Sequence, residues 1–348
     1  MVNQHYTIET VLKGHPDKVC DQISDGILDE FLKNDSNTKA GIECLGVSNS
    51  LIIAGEIKSN AKVDVEKIAS EIYKSIGYSD SLEIINKINV QSYQLNKIVE
   101  KGLAGDQGVM YGFACNKIEH NFLPFGVLAI NDIARNIDDY RINKKLFLPD
   151  GKIQATIENN KIKSLIISLQ HKENCDLDAL ENNIKDLILN DQFYKNSIEE
   201  LIFDKSDFIQ GGFMNDTGLT GRKIIIDTYC GLSQHGGGAF SGKDPSKMDR
   251  SASYMSRFVA KNIVANEMAE NCTISVSYAF GKEEPVMIAV NTNNIFNKSL
   301  TNFVKNEFDF RPNAIIERLN LKNIEYLPTA CYGHFSNENY EWEKIIVL

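Results

Sequence analysis

The chain has 348 residues, 43% hydrophobic and 24% charged, and its 37 Lys and Arg against 47 Asp and Glu give a formal net charge of −10. That length predicts two or three domains, the apolar fraction excludes a disordered chain, and the acidic total argues against nucleic acid or an anionic membrane as partner. Seven cysteines without CxxC or Cys/His spacing fit reduced thiols, and the absence of a basic-then-apolar start or a bilayer-length apolar run leads to the expectation of a soluble, cytoplasmic, globular protein.

The first segment with chemical content runs from Gly14 to Gly26. Proline is favoured just inside a helix start, so a helix is expected from about Pro16, burying Val19, Ile23, Ile27, Leu28 and Phe31. Asp17, Asp21, Asp25 and Asp29 then fall in one row at four-residue steps, and like charges at that spacing repel. A hard cation at the start of the row would offset the repulsion, since Mg²⁺ takes one or two protein carboxylates and completes its shell with phosphate oxygens and water. Asp25 and Asp29 read instead as a solvated acidic face. His15, at the helix start, can donate a hydrogen bond to an anion; from the residues alone, a structural imidazole is equally well supported.

Residues 41–76 read as a strand, the turn Ser48-Asn49-Ser50, a second strand through Leu51–Ala54, and a helix with Val65, Ile68, Ala69, Ile72 and Ile76 at helical spacing. Gly105-Asp106-Gln107-Gly108 reads as a tight turn entering a buried strand. Residues 152–190 repeat the hairpin-and-helix scheme around the turn Glu158-Asn159-Asn160, with Leu177, Leu180, Ile184, Leu187 and Ile188 on one helical face. Residues 272–310 do so again, through Ile274, Val276 and Tyr278, then Val286–Val290, then Leu300, Phe303, Val304 and Phe308. Three such units at near-equal spacing predict three similar α+β domains, each a sheet covered by helices; they are taken as 1–105, 106–209 and 210–348.

Between the second and third units lies the richest motif, Gly236-Gly237-Gly238-Ala239-Phe240-Ser241-Gly242-Lys243-Asp244-Pro245-Ser246-Lys247-Met248-Asp249-Arg250. It approaches the phosphate-binding GxxxxGK[ST], but Asp244 stands where Ser or Thr belongs, and the preceding run Lys223–Asp227, read as a strand, ends too early. A P-loop NTPase is therefore rejected. Asp244 and Pro245 suit a helix cap and first turn, which would gather Lys243, Lys247 and Arg250 at a helix N-terminus, an anion site. A polyphosphate is the expected ligand. Asp249 reads either as a second metal ligand or as the partner of Arg250.

GHPDKVCDQISDGILD, GDQGVMYGFA, GLTGRKIIIDTYCG and GGGAFSGKDPSKMDRSASY, in this order, resemble the signatures of the S-adenosylmethionine synthetase (methionine adenosyltransferase) family, and the likeness continues to Ala330-Cys331-Tyr332-Gly333-His334-Phe335. The resemblance implies three α+β domains about a pseudo-threefold axis, active sites shared between two subunits of a homodimer, and usually a homotetramer. It implies attack of the methionine sulfur on C5′ of ATP, release of triphosphate, and hydrolysis of the triphosphate to diphosphate and phosphate, with two Mg²⁺ per site and K⁺. On this likeness His15, Lys243, Lys247 and Arg222 act at the triphosphate, Asp17 and Asp249 are Mg²⁺ ligands, and Glu43 is the K⁺ ligand. Glu56 and Gln91 match methionine contacts, and Asp150 and Lys152 an ATP-contacting pair. Asp216, Arg222, Lys223, Ala239, Lys243 and Lys247 match residues contacting ATP or methionine, and Phe208 an aromatic stacking on adenine. The chain departs from the pattern at Asp207, where an Arg is usual, and at Leu103. It also departs in the segment Gln91–Gly105, expected to be a mobile loop, which is several residues short.

Overall fold

The structure, a computed structural model, describes residues 5–191, 194 and 197–348. It opens with β1 (His5–Val11), α1 (Pro16–Asn34), β2 (Lys39–Val47), β3 (Ser50–Lys58), α2 (Val65–Ile76), β4 (Glu83–Val90) and α3 (Tyr93–Glu100). There follow β5 (Gly108–Cys115), α4 (Phe125–Lys144), β6 (Gly151–Glu158), β7 (Lys161–Leu169), α5 (Leu177–Leu189) and β8 (Ile198–Phe203). Last come β9 (Gly218–Leu219), α6 (Ile224–Thr228), α7 (Met248–Ala265), β10 (Asn271–Tyr278), β11 (Met287–Thr292), β12 (Ile295–Phe296), α8 (Lys298–Glu307) and α9 (Pro312–Arg318).

The three expected hairpins are β2–β3, β6–β7 and β10–β11. Asn159 and Asn160 turn the second with φ of 51° and 59°, the left-handed pair that a tight hairpin needs and asparagine tolerates. Asp64 and Asp176 open α2 and α5 by accepting the N–H groups of Lys67 and Ala179, which satisfies otherwise orphaned helix donors.

Each hairpin lies in a four-stranded sheet completed by a strand from another part of the chain: β1-β6-β7-β8, β9-β2-β3-β4 and β5-β10-β11-β12. In the first two, the incoming strand and the hairpin are antiparallel and the last strand is parallel. The third ends in the short antiparallel β12. The long helices follow the same cycle: α1 leaves β1 and packs on β2, α4 leaves β5 and packs on β1 and β6, and α7 packs on β5 and β10. This is the expected α+β threefold order, but the sheets cross the limits 105/106 and 209/210. Two apolar cores result, one joining α1, α2, α7 and the sheets beneath them, the other formed by α4, α5, β6 and β7.

The acidic row of α1 is not a solvated face. Asp21 is 2% and Asp25 0% exposed. Lys18 Nζ donates to Asp21 Oδ2 at 2.8 Å and also to Asp227. Arg250 Nη2 donates to both oxygens of Asp25, at 2.8 and 2.7 Å, and Asp29 accepts the N–H groups of Tyr326 and Leu327. Apart from Lys18, the partners of the row come from distant parts of the chain, which helical periodicity alone cannot reveal.

Two further expectations change. Lys223–Asp227 is not a strand: Ile224–Thr228 form α6, with Asp227 N–H donating to Lys223 O at 2.9 Å, so tertiary context overrides the β-branched run. Asp244 does not cap α7, which begins at Met248 with Lys247 as its N-cap residue. The Asp244 carboxylate instead accepts Ala40 N–H and Ser246 N–H at 2.9 Å each, fastening the glycine-rich segment to β2. All seven cysteines are free. Among the described residues, no helix is long and apolar enough to cross a membrane.

Candidate active site

His15 is the N-cap residue of α1, and its Nδ1 accepts Asp17 N–H at 3.2 Å. An accepting Nδ1 puts the ring proton on Nε2, leaving an N–H free to donate. Burial, then the nearby Lys223, push its pKa down to about 3, so the imidazole is neutral. Asp17 is 2% exposed; Leu219 N–H donates to its Oδ1 at 2.9 Å and Lys223 Nζ to its Oδ2 at 2.6 Å. Burial alone would raise its pKa, but these donors hold it below the usual carboxylate value. Arg222 Nη1 lies 3.7 Å from Asp17 Oδ1. The two basic residues of the Gly221–Lys223 turn therefore converge on the start of α1.

The glycine-rich segment lies against that turn. Gly221, at φ 84°, leaves room for Ala239, whose Cβ would sit 2.4 Å from any Cβ there. A Cβ on Gly238 would fall 2.2 Å from Asp249 Oδ1, and one on Gly236 would fall 1.8 Å from Val109 O, so the GDQG strand and the triple glycine meet beside Asp249. Lys243 Nζ donates to Asp249 Oδ2 at 2.6 Å; Arg250, the other candidate partner of Asp249, is taken by Asp25. Lys247 Nζ stands 3.5 Å from Asp244 Oδ2. The segment is pinned from beneath: Gly242 N–H donates to Asp25 Oδ1 at 2.8 Å, Ile42 N–H to Gly242 O at 3.0 Å, and Lys243 bridges to Gly41 of β2.

β2 and β3 carry the remaining acids. Glu56 pairs with Gly41 across the hairpin, and Gln91 Nε2 donates to Glu56 Oε1 at 3.1 Å. Glu43 is exposed on the same strand as Gly41. Asp150, at the start of β6, accepts Gly151 N–H and Gly212 N–H at 2.8 Å each, yet burial lifts its pKa to about 6. Gln170 ties this corner to the adenine candidate, bonding Asp150 N–H through Oε1 and Ile209 O through Nε2, next to half-buried Phe208. Lys152, Asp207 and Asp216 are exposed. The segment Gln91–Gly105, expected as a loop, contains the helix α3.

Among the described residues there is no group of three or more His, Cys, Asp or Glu able to hold a metal. Nor does any Ser or Cys with a paired base stand at the site; the arrangement consists of cations and single carboxylates around glycine backbone. Such a surface binds and orients a polyanion.

Comparison with known proteins agrees with this chemistry. Family models described as S-adenosylmethionine synthetase N-terminal, central and C-terminal domains match residues 3–101, 101–211 and 209–344. The S-adenosylmethionine synthase of Mycoplasmopsis pulmonis is 41% identical, the match covering 98% of this chain and 96% of that protein. That of Mesoplasma florum is 40% identical over 98% and 97%, and that of Brachyspira hyodysenteriae 39% over 98% and 96%. The chain belongs to the S-adenosylmethionine synthetase family. As a member it is a transferase forming S-adenosylmethionine from ATP and methionine. The alignment with the first relative spans 361 positions, more than this chain contains, so it lacks residues that the relative has.

Reading the motifs left out the frame of this S-adenosylmethionine synthetase site. Asp21 Oδ1 accepts Gly221 N–H at 2.7 Å and so holds the Arg222–Lys223 turn, while Asp25 and Arg250 carry the glycine-rich segment. The only sequence signal for either was the Lys18–Asp21 charge pair at i,i+3.

Proposed function

We propose that the methionine sulfur attacks C5′ of ATP, forming the S–C5′ bond as the C5′–O bond breaks and its electron pair leaves with an intact triphosphate. The triphosphate is then hydrolysed to diphosphate and phosphate. The observation that carries this reading is the convergence of neutral His15, Arg222, Lys223 and Lys243 on two separate carboxylates, Asp17 and Asp249, with Lys247 held by Asp244 in the same glycine-rich segment as Lys243. A thioether needs no general base, so the site's work is alignment and charge compensation. His15 Nε2–H donates to a phosphate oxygen, and the lysines balance charge growing on the leaving group. Ala239 and the glycines let the backbone approach the phosphates, and Phe208 stacks on adenine near Asp150, Lys152 and Asp216. Glu56 and Gln91 take the amino acid.

Asp17 and Asp249 suit Mg²⁺, since each offers one oxygen ligand set next to phosphate-binding cations, the donor type this ion uses when phosphates and water complete its shell. Bound there, Mg²⁺ offsets the charge of the triphosphate. Glu43 is the carboxylate for K⁺. A homodimer with shared sites, paired into a homotetramer, is supported by exposed apolar residues on the strands, among them Val47, Ile85, Val109, Ile202 and Met287. Incubation with ATP, Mg²⁺ and K⁺, with and without methionine, tests the reaction. S-adenosylmethionine, diphosphate and phosphate should form only with methionine; methionine-independent ATP cleavage as the sole activity would overturn the reading in favour of a phosphohydrolase.

A further inference from the structure

We infer that Asn96 supplies a third acceptor, beside Glu56 and Gln91, for the ammonium group of the amino-acid substrate; this rests on the reading of Glu56 and Gln91 given above. Gln91 and Asn96 are 3% and 6% exposed, yet Gln91 Oε1 and Asn96 Oδ1 are buried with no hydrogen-bond partner. The surroundings fix the orientation of both amides. Gln91 Nε2 donates to Glu56 Oε1 at 3.1 Å, and Asn96 Nδ2 donates to the main-chain carbonyl of Gln91 at 3.2 Å. Turning either amide would set oxygen against oxygen. Both orphans are therefore acceptors, and only a donor completes them.

Buried polar atoms are nearly always paired in native proteins, and an exception calls for a cause. Two unpaired carbonyl oxygens, one on the residue bonded to the Glu56 carboxylate and the other on the residue bonded to that one's main chain, match an alkylammonium, which carries three N–H donors and one positive charge. An anion or an apolar group would leave the oxygens unpaired. The three residues also come from different elements held in fixed relation. Glu56 is on β3, and Gln91 N–H donates to Ile57 O at 3.1 Å. Asn96 lies in α3, where its N–H donates to Ser92 O at 3.1 Å. An ion pair between Lys58 and Glu100 fastens the far end of α3 to β3, and Ala104 N–H bonds Lys282 O at 2.8 Å. Asn96 is thus held to the sheet that carries Glu56. Neither the family signatures nor their matched positions include this residue.

The test measures equilibrium binding of two ligands, L-methionine and its α-hydroxy counterpart, in the presence of Mg²⁺ and a non-hydrolysable ATP analogue. Asn96→Leu keeps the side-chain size but removes the acceptor. It should weaken methionine about tenfold, the scale of one hydrogen bond to a charged group, and the hydroxy acid less than about twofold on the same scale. In turnover, KM for methionine should rise while kcat and KM for ATP stay near wild type. Asn96→Asp keeps the acceptor but loses the donor to the Gln91 carbonyl, so it should bind methionine less tightly than wild type yet prefer it over the hydroxy acid more strongly than Asn96→Leu does. Equal losses on the two ligands, or no loss, would overturn the assignment and leave Asn96 a helix-packing residue. A wild-type chain that binds no methionine at all would overturn the reading of Glu56 and Gln91 with it.

Discussion

Lys223 and Lys243 each lie 2.6 Å from a carboxylate, Asp17 and Asp249, so in the proposed reaction each lysine would be shared between an acid and the triphosphate. Lys243→Met or Lys247→Met should slow single-turnover formation of S-adenosylmethionine by about 10²–10³-fold, as for loss of one pre-aligned donor, with little change in methionine binding. An unchanged rate with a raised methionine requirement would contradict these roles, whereas Glu56→Gln should give that second pattern. Asp249→Asn, at a half-buried position, should remove most Mg²⁺-dependent synthesis and leave the melting temperature near wild type; normal turnover at saturating Mg²⁺ would refute the ligand role. Asp150 offers a pH test. Its pKa is raised from 3.8 to about 6 by burial, so its contribution to stability is fully present below 3.8 and lost as pH rises through 6. Asp150→Asn lacks this ionisation. Relative to the variant, wild type should therefore lose about 2 kcal/mol between pH 4 and 6 and little further above pH 7, measured by urea unfolding at each pH. A difference that is flat across this range would mean the carboxyl is not perturbed.

At the scale of elements, the buried pair Asp25–Arg250 joins α1 to α7 and underlies the glycine-rich segment through Gly242 N–H and Lys243 O. Arg250→Met should leave Asp25 uncompensated and cost about 3–5 kcal/mol in chemical denaturation. Asp25→Asn with Arg250→Met together should cost less than the sum of the single changes. This clamp was illegible in the sequence because Asp25 read as part of a solvated acidic face and Arg250 as part of an anion site or as the partner of Asp249. The hairpins and α1, α2, α5 and α8 were legible because period-two and period-3.6 patterns, turn asparagines and capping aspartates agree locally. α6 was misread because its isoleucines favour a strand in isolation, and α7 was started too early because Asp244 has a better use on Ala40. Likewise the site was legible as motif residues, but Asp21 and Asp25 act through Gly221 and Arg250, partners that only the fold brings near. α3 shows the same contrast. Its lid-like polar composition remains, yet Lys97 lies inside the helix and Lys101 in the turn after it. Limited proteolysis should cut the free enzyme at Lys101 in preference to Lys97, and an ATP analogue plus methionine should suppress the cut more than either alone. Equal cleavage with and without both ligands would remove the idea that this segment closes.

Across the whole molecule, the cyclic exchange of strands makes the three segments interdependent. β1 has its ladder partner in β6, β5 in β10, and β9 in β2, so no segment completes a sheet by itself. The chain end adds a second tie. Glu343, 2% exposed, accepts from Arg257 at 2.9 Å through both oxygens and from Lys261 at 3.0 Å, and also from Asn121 Nδ2 at 3.1 Å. One buried acid thus answers two buried cations of α7 and locks the C-terminal segment to the start of the central unit. The expected consequence is a single cooperative unfolding transition for the full chain at fixed concentration, with calorimetric and van't Hoff enthalpies in agreement per cooperative unit. Residues 1–105 expressed alone should not fold, because β1 and β2 would each expose an unpaired edge and Asp25 would lack Arg250. Glu343→Gln should lower the single transition as a whole rather than detach one domain, since the cations it leaves unpaired sit in the helix on which the third sheet packs. Two resolved transitions in the wild type, or a folded 1–105 fragment with dispersed amide signals, would show that the sheets exchange strands without depending on one another.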